Sequence, residues 1–92
     1  MKESAIEAAF VKWCKANGYY TRKFSSPAHR GVPDRIVAKN GKVCFIEFKA
    51  PLHYPTAIQD REINLLRAVG LPAGFCQSLD SAIVFTRGNI GL

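Results

Sequence analysis

Acidic residues are scarce in this chain: seven Asp and Glu stand against thirteen Lys and Arg, giving a formal net charge of +6 and a pI near 9.6. Such a balance favours polyanionic partners, either nucleic acid or an acidic membrane. Long apolar runs are missing as well. No stretch approaches the ~20 residues of a membrane span, and the opening MKESAIEAAF turns acidic where a signal peptide would stay apolar. No membrane association is expected, and the cytoplasm is the expected compartment. Cysteine is limited to Cys14, Cys44 and Cys76, odd in number and widely spaced. With no CxxC and no clustering with His29 or His53, they form neither a disulfide framework nor a zinc site. Reduced, buried thiols are the expectation.

The remaining composition is that of one globular domain spanning residues 1–92, with 48% hydrophobic and 22% charged residues. No internal repeat, low-complexity tract or linker divides it. A domain this small buries roughly 60–65% of its unfolded surface, so a partner subunit would add useful burial.

Ser4 followed by Glu7 has the spacing of a capping box and predicts a helix start. Ile6, Ala9, Phe10, Trp13 and Cys14 then share one helical face, and Asn17-Gly18 ends it. Tyr19–Phe24 is rich in strand formers, and Ser25–Pro33 reads as a basic loop. Two apolar runs, Asp34–Lys39 and Lys42–Lys49, flank Asn40-Gly41, the signal of a hairpin with a two-residue type I′ turn. Thr56 with Gln59 is a second capping-box pair. It opens a helix whose apolar face would comprise Ile58, Leu65, Leu66 and Val69, with Gly70 as its end. Residues 73–77 form a short strand. Residues 78–87 are ambiguous: Ala82–Phe85 suits a strand, but Ser78 and Asp80 look like caps, and a short helix is expected. The order is α-β-β-β-α-β-α, an α/β fold with a mixed sheet flanked by helices.

Counting outward from the turn gives the chemistry. Lys39 faces Lys42, Val37 faces Cys44, and Asp34 falls opposite Glu47. Facing residues in an antiparallel pair have Cβ atoms ~4.5–5.5 Å apart, where two like charges repel. A divalent cation between the carboxylates turns that repulsion into a binding site, and Mg²⁺ takes such oxygen ligands. Lys49 lies two residues after Glu47 and therefore on the same strand face. An ammonium there can hold an attacking water and stabilise charge on a phosphate. Glu-Phe-Lys alone fits a solvated edge strand better than a catalytic site, and the pairing with Asp34, preceded by Pro33, is what raises it above that.

Gly31-Val-Pro-Asp34, Phe45-Ile-Glu47-Phe-Lys49 and Gln59 together resemble the virus-type replication-repair nuclease (VRR-NUC) branch of the PD-(D/E)XK superfamily. The resemblance runs from the first helix to the last strand. It implies a restriction-endonuclease-like core and a Mg²⁺- or Mn²⁺-dependent nuclease. Asp34 and Glu47 would ligate the metal, with the Phe48 backbone carbonyl as a further ligand. Lys49 would serve the water and transition state, Gln59 would line the site, and Glu7 would match a helical glutamate that such enzymes often add. Helix capping explains Glu7 and Gln59 almost as well. Arg22, Lys23, Arg30 and Arg35 are the candidate phosphate contacts, weighed against a merely solvated basic face. His29 and His53 read as loop residues; Trp13, Tyr19 and Tyr20 read as packing residues.

Stand-alone members of this family imply a homodimer that cleaves branched or structured DNA such as a four-way (Holliday) junction, since two-fold symmetry suits two symmetric cuts. The alternatives are a sequence-specific or nicking phage endonuclease, a catalytically silent nucleic-acid-binding module of the same fold, and a basic RNA-associated protein.

Overall fold

The computed structural model describes residues Met1–Leu92. Its elements are α1 (Glu3–Ala16), β1 (Tyr20–Lys23), β2 (Arg35–Lys39), β3 (Lys42–Phe48), α2 (Ala57–Ala68), β4 (Ala73–Cys76) and α3 (Leu79–Ile90). The sequence-derived order α-β-β-β-α-β-α is the observed one. The four strands form one mixed sheet in the order β1-β2-β3-β4. The β1–β2 and β2–β3 pairs are antiparallel, and β3–β4 is parallel. The parallel pair needs a crossover, and α2 supplies it.

Strand alternation sorts the apolar residues of β3 between two layers. Cys44, Ile46 and Phe48 join Val37, Cys76, Ile6, Phe10, Cys14, Ala82 and Ile90 in the larger core, between the sheet and α1 with α3. Phe45 points the other way and packs with Ile63 and Ala73, joined by Val43, Ile36 and Leu66. Full burial of a side chain such as Phe10 or Ile6 stabilises the fold by about 1.5–3 kcal/mol. Trp13 and Tyr19 stack at 5.0 Å between centroids and are packing residues, as expected. Tyr20 is half exposed and instead carries the Arg22 guanidinium over its ring at 4.5 Å.

Three local expectations change. The Lys2 carbonyl accepts the Ile6 N–H, so α1 starts at Glu3 and Ser4 is already helical; no side chain caps this end. The Ser4–Glu7 capping box does not form, because two cations engage Glu7 more strongly than one backbone N–H would. On α2, Ile63 is the buried anchor, whereas Ile58, Leu65 and Val69 are exposed. Lastly, residues 78–87 belong to a helix longer than expected. Ser78 and Ser81 cap it reciprocally, and Ala82, Thr86 and Ile90 are its buried stripe. The Thr56–Gln59 capping box forms as read from the sequence.

Candidate active site

The hairpin register fixes the site. Lys39 pairs with Lys42, Val37 with Cys44, and Arg35 with Ile46; one step further sets Asp34 against Glu47. Pro33 then faces Phe48. A proline has no N–H to return to the ladder, and regular pairing stops there. The Phe48 N–H donates instead to Asp34 Oδ2 at 2.7 Å, while the Asp34 carbonyl accepts the Phe24 N–H at 2.9 Å. The Asp34 carboxylate is thus held by β3 and its backbone by the chain leaving β1. On the side of β3 that the Phe48 N–H faces, the Phe48 carbonyl receives no N–H from Pro33.

Gly31 explains how the loop reaches this position. Its φ is +84°, and a Cβ placed there would lie 2.6 Å from Ile58 Cγ2 and 3.0 Å from the Ile58 backbone. Only glycine permits both the left-handed backbone and that contact. Gly31 therefore lies flush against Ile58 in the first turn of α2.

Glu47 is 2% exposed, and so is buried as an isolated carboxylate should not be. Its Oε1 has no hydrogen-bond partner, and its Oε2 lies 3.8 Å from Lys49 Nζ, too far for a hydrogen bond. Burial first, then the negative charge of Asp34, pushes the Glu47 carboxyl up to about 7, with Lys49 acting in the opposite direction. Asp34 is raised too, by burial above all, against the lowering effect of the Phe48 N–H. A third carboxylate completes the group: Glu3, Asp34 and Glu47 each offer an oxygen within 4.8 Å of the others.

These residues suit a hard divalent cation. Oxygens on opposite sides of a Mg²⁺ ion sit about 4.2 Å apart, comparable with the 4.8 Å within which the three carboxylate oxygens lie. An orphaned buried carboxylate oxygen and two carboxyls raised by burial are a polar deficit that a cation would satisfy.

Glu3 was not found from the sequence. It lies four residues before Glu7, on the same side of α1, and a helix start drawn at Ser4 leaves it outside the helix. Glu7 itself is not among the three clustered carboxylates. Its Oε2 accepts the Arg35 Nε–H at 2.8 Å and lies 3.0 Å from Lys23 Nζ, yet its charge still raises Asp34 and Glu47. Arg35 is consequently enclosed and paired rather than free for phosphate. Arg22, Lys23 and Arg30 face outward, Lys23 with one bond to Glu7. Gln59 Oε1 accepts the Thr56 N–H at 2.9 Å, so its carbonyl end is used by the cap. His29 and His53 are exposed loop residues. Cys14, Cys44 and Cys76 are free and buried, and burial raises their thiols to about 11, 12 and 11, as expected of inert core cysteines.

A scan against protein-family models finds no match. A protein of Acyrthosiphon pisum secondary endosymbiont phage 1, named "Putative nuclease p44", is 46% identical over 71 residues, covering 76% of each chain. A solved structure titled "VRR_NUC domain" superposes with a TM-score of 0.81 at 26% identity, covering 90% of this chain and 91% of the other. A second, "VRR_NUC domain protein", also gives 0.81, at 21% identity and covering 100% and 90%; it bears on the fold alone.

Proposed function

Because the chain belongs to the VRR-NUC branch of the PD-(D/E)XK nucleases, we propose that it hydrolyses DNA phosphodiester bonds with a divalent cation held by Asp34 and Glu47. The observation that carries this reading is the buried, partnerless Oε1 of Glu47 beside Asp34. Glu3 is the third carboxylate in reach, and the Phe48 carbonyl, left without an N–H by Pro33, would be the backbone ligand. A bound Mg²⁺ or Mn²⁺ supplies the charge that polarises the scissile phosphate and acidifies the attacking water.

The protein's own groups do the rest. Lys49, largely enclosed beside Glu47, holds the water and offsets charge building on the phosphate; one such contact is worth ~10²–10³ in rate. Arg22, Lys23 and Arg30 bind the phosphate backbone and set its register. Glu7 and Arg35 form an ion pair that fixes the end of β2 against α1, and Gln59 borders the site from the first turn of α2.

The substrate we assign is branched DNA such as a four-way junction, cut by a homodimer. Ile58, Leu65 and Val69 support the dimer: they form one exposed apolar stripe along α2, surface that a second copy can cover. Three free thiols suit a reducing cytoplasm.

The test uses labelled four-way junction, linear duplex and single strand with Mg²⁺, Mn²⁺ or EDTA, alongside Asp34→Ala and Lys49→Ala. Metal-dependent cutting that both variants lose is the expected result. Binding without cutting under every metal condition would leave a silent binding module. Linear duplex cut as fast as junction would remove the branched-substrate assignment.

A further inference from the structure

Three residues beyond Lys49 the chain breaks a local rule. The His53 N–H donates to the Ala50 carbonyl at 3.0 Å, closing a β-turn with Pro51 and Leu52 at its centre. Proline fixes its own φ near −65°, and Leu52 has φ +68°. That combination is a type II turn, whose third position requires a positive φ and normally holds glycine or asparagine. A leucine there is a backbone outlier. Nor does packing compensate for it, because Leu52 is 85% exposed.

The turn is nevertheless held in place. The His53 carbonyl accepts a hydrogen bond from the Gln77 side chain, and the Tyr54 ring meets Phe75 edge-on at 5.9 Å. Leu52 is thus a bulky apolar side chain presented to solvent on an anchored, strained support. Strain that folding does not explain points to a site of function.

Its location narrows the function. Three residues of chain span at most about 11 Å, so Leu52 stands within roughly three base steps, at 3.4 Å per step, of Lys49, the residue assigned above to the scissile phosphate. On the other flank, Gly31 packs against Ile58 and brings the basic loop with His29 and Arg30 to the same end of α2. An apolar tip beside a phosphate-binding surface is the arrangement of a wedge that enters a base step and unstacks it.

We infer that Leu52 is such a wedge: it inserts at an already weakened base step, as at a branch point, and sets the preference for distorted DNA. This inference rests on the nuclease reading for its substrate but makes a separate claim, that Leu52 reads base stacking. Unstacking costs less where stacking is already interrupted, so the wedge discriminates between branched and continuous duplex without contacting base edges.

The test compares wild type with Leu52→Gly and Leu52→Asn, both of which suit a positive φ. Four-way junction carrying 2-aminopurine beside the branch point reports unstacking in Ca²⁺, and cutting is followed separately in Mg²⁺ or Mn²⁺. Wild type should raise the fluorescence on binding. Both variants should melt at or above the wild-type temperature, bind Mn²⁺ as wild type does, lose most of the fluorescence gain and bind junction about tenfold more weakly. Their affinity for continuous duplex should barely change. Variants that unstack and bind junction like wild type would overturn the inference, whether or not the protein cuts. So would a melting temperature lowered by more than about 5 °C, which would make Leu52 a packing residue, or a changed oligomeric state, which would make it a subunit contact. If wild type unstacks the junction through Leu52 but never cuts, the wedge stands and the nuclease reading falls.

Discussion

With divalent metal removed by EDTA, raising the pH from 5 to 8 should destabilise the folded protein, chiefly through Glu47. Burial and the neighbouring Asp34 charge lift its carboxyl from an ordinary 4.5 to about 7. Between those values the folded state keeps a proton that the unfolded state has lost, so stability falls as pH rises. The cost is absent below pH 4.5 and fully developed above pH 7. A difference of about 2.5 pK units at 1.36 kcal/mol each is about 3 kcal/mol, or on the order of 15 °C in Tm for a domain of this size. Asp34, raised by the same burial, acts in the same direction. Mn²⁺ should restore the loss at pH 8 and do little at pH 5, where the proton occupies the ligand. Glu47→Gln should flatten the profile and abolish the metal-induced rise. Thermal melts by circular dichroism at half-unit pH steps, with EDTA or Mn²⁺, measure all of this. Parallel wild-type and Glu47→Gln profiles between pH 5 and 8 would refute the assignment of an uncompensated buried charge.

Glu3→Gln should weaken Mn²⁺ binding about tenfold or more with little change in Tm, whereas Glu7→Gln should chiefly lower stability, by about 2 kcal/mol, because it leaves Arg35 enclosed and underpaired; calorimetric titration and melts separate the two. Gly31→Ala should cost about 1–3 kcal/mol from its positive φ alone and reduce cutting by shifting Asp34. Shortening Ile58 to Ala should rescue it only in part, since the Ile58 backbone also lies 3.0 Å from the added Cβ. Gln59→Ala should lower Tm by a few degrees through loss of half a capping box, and Gln59→Glu should restore it.

The sequence was most legible where geometry is local. Asn40-Gly41 permits little besides a two-residue turn, and from it the opposition of Asp34 and Glu47 follows by counting. What counting could not give is the interruption at Pro33, which frees the Phe48 amide for Asp34. Helix α3 was harder, because Ala82–Phe85 carries strand formers; the stripe Ala82, Thr86, Ile90 would have decided it. The sequence leaves the buried side of α2 undecided, since Ile58, Leu65 and Val69 share one face as convincingly as Ile63 and Leu66 share another, and only the sheet beneath selects between them. Glu3 was hidden by the coincidence of Ser4 and Glu7 at capping-box spacing. The attachment of Glu7 to Arg35 joins residues on separate elements, and no spacing rule reaches that far.

The parallel pairing of β3 with β4 also orders events in time. The Lys49 N–H donates to the Cys76 carbonyl, so one side of the strand bearing Glu47 stays open until the crossover and β4 have been made. At about 5–20 residues per second, a ribosome releases the Asn40-Gly41 hairpin some seconds before the strand that encloses it. The pairing that closes this side of β3 therefore waits for β4, and a chain cut before Ala73 carries Asp34, Glu47, Lys49 and Gln59 without it.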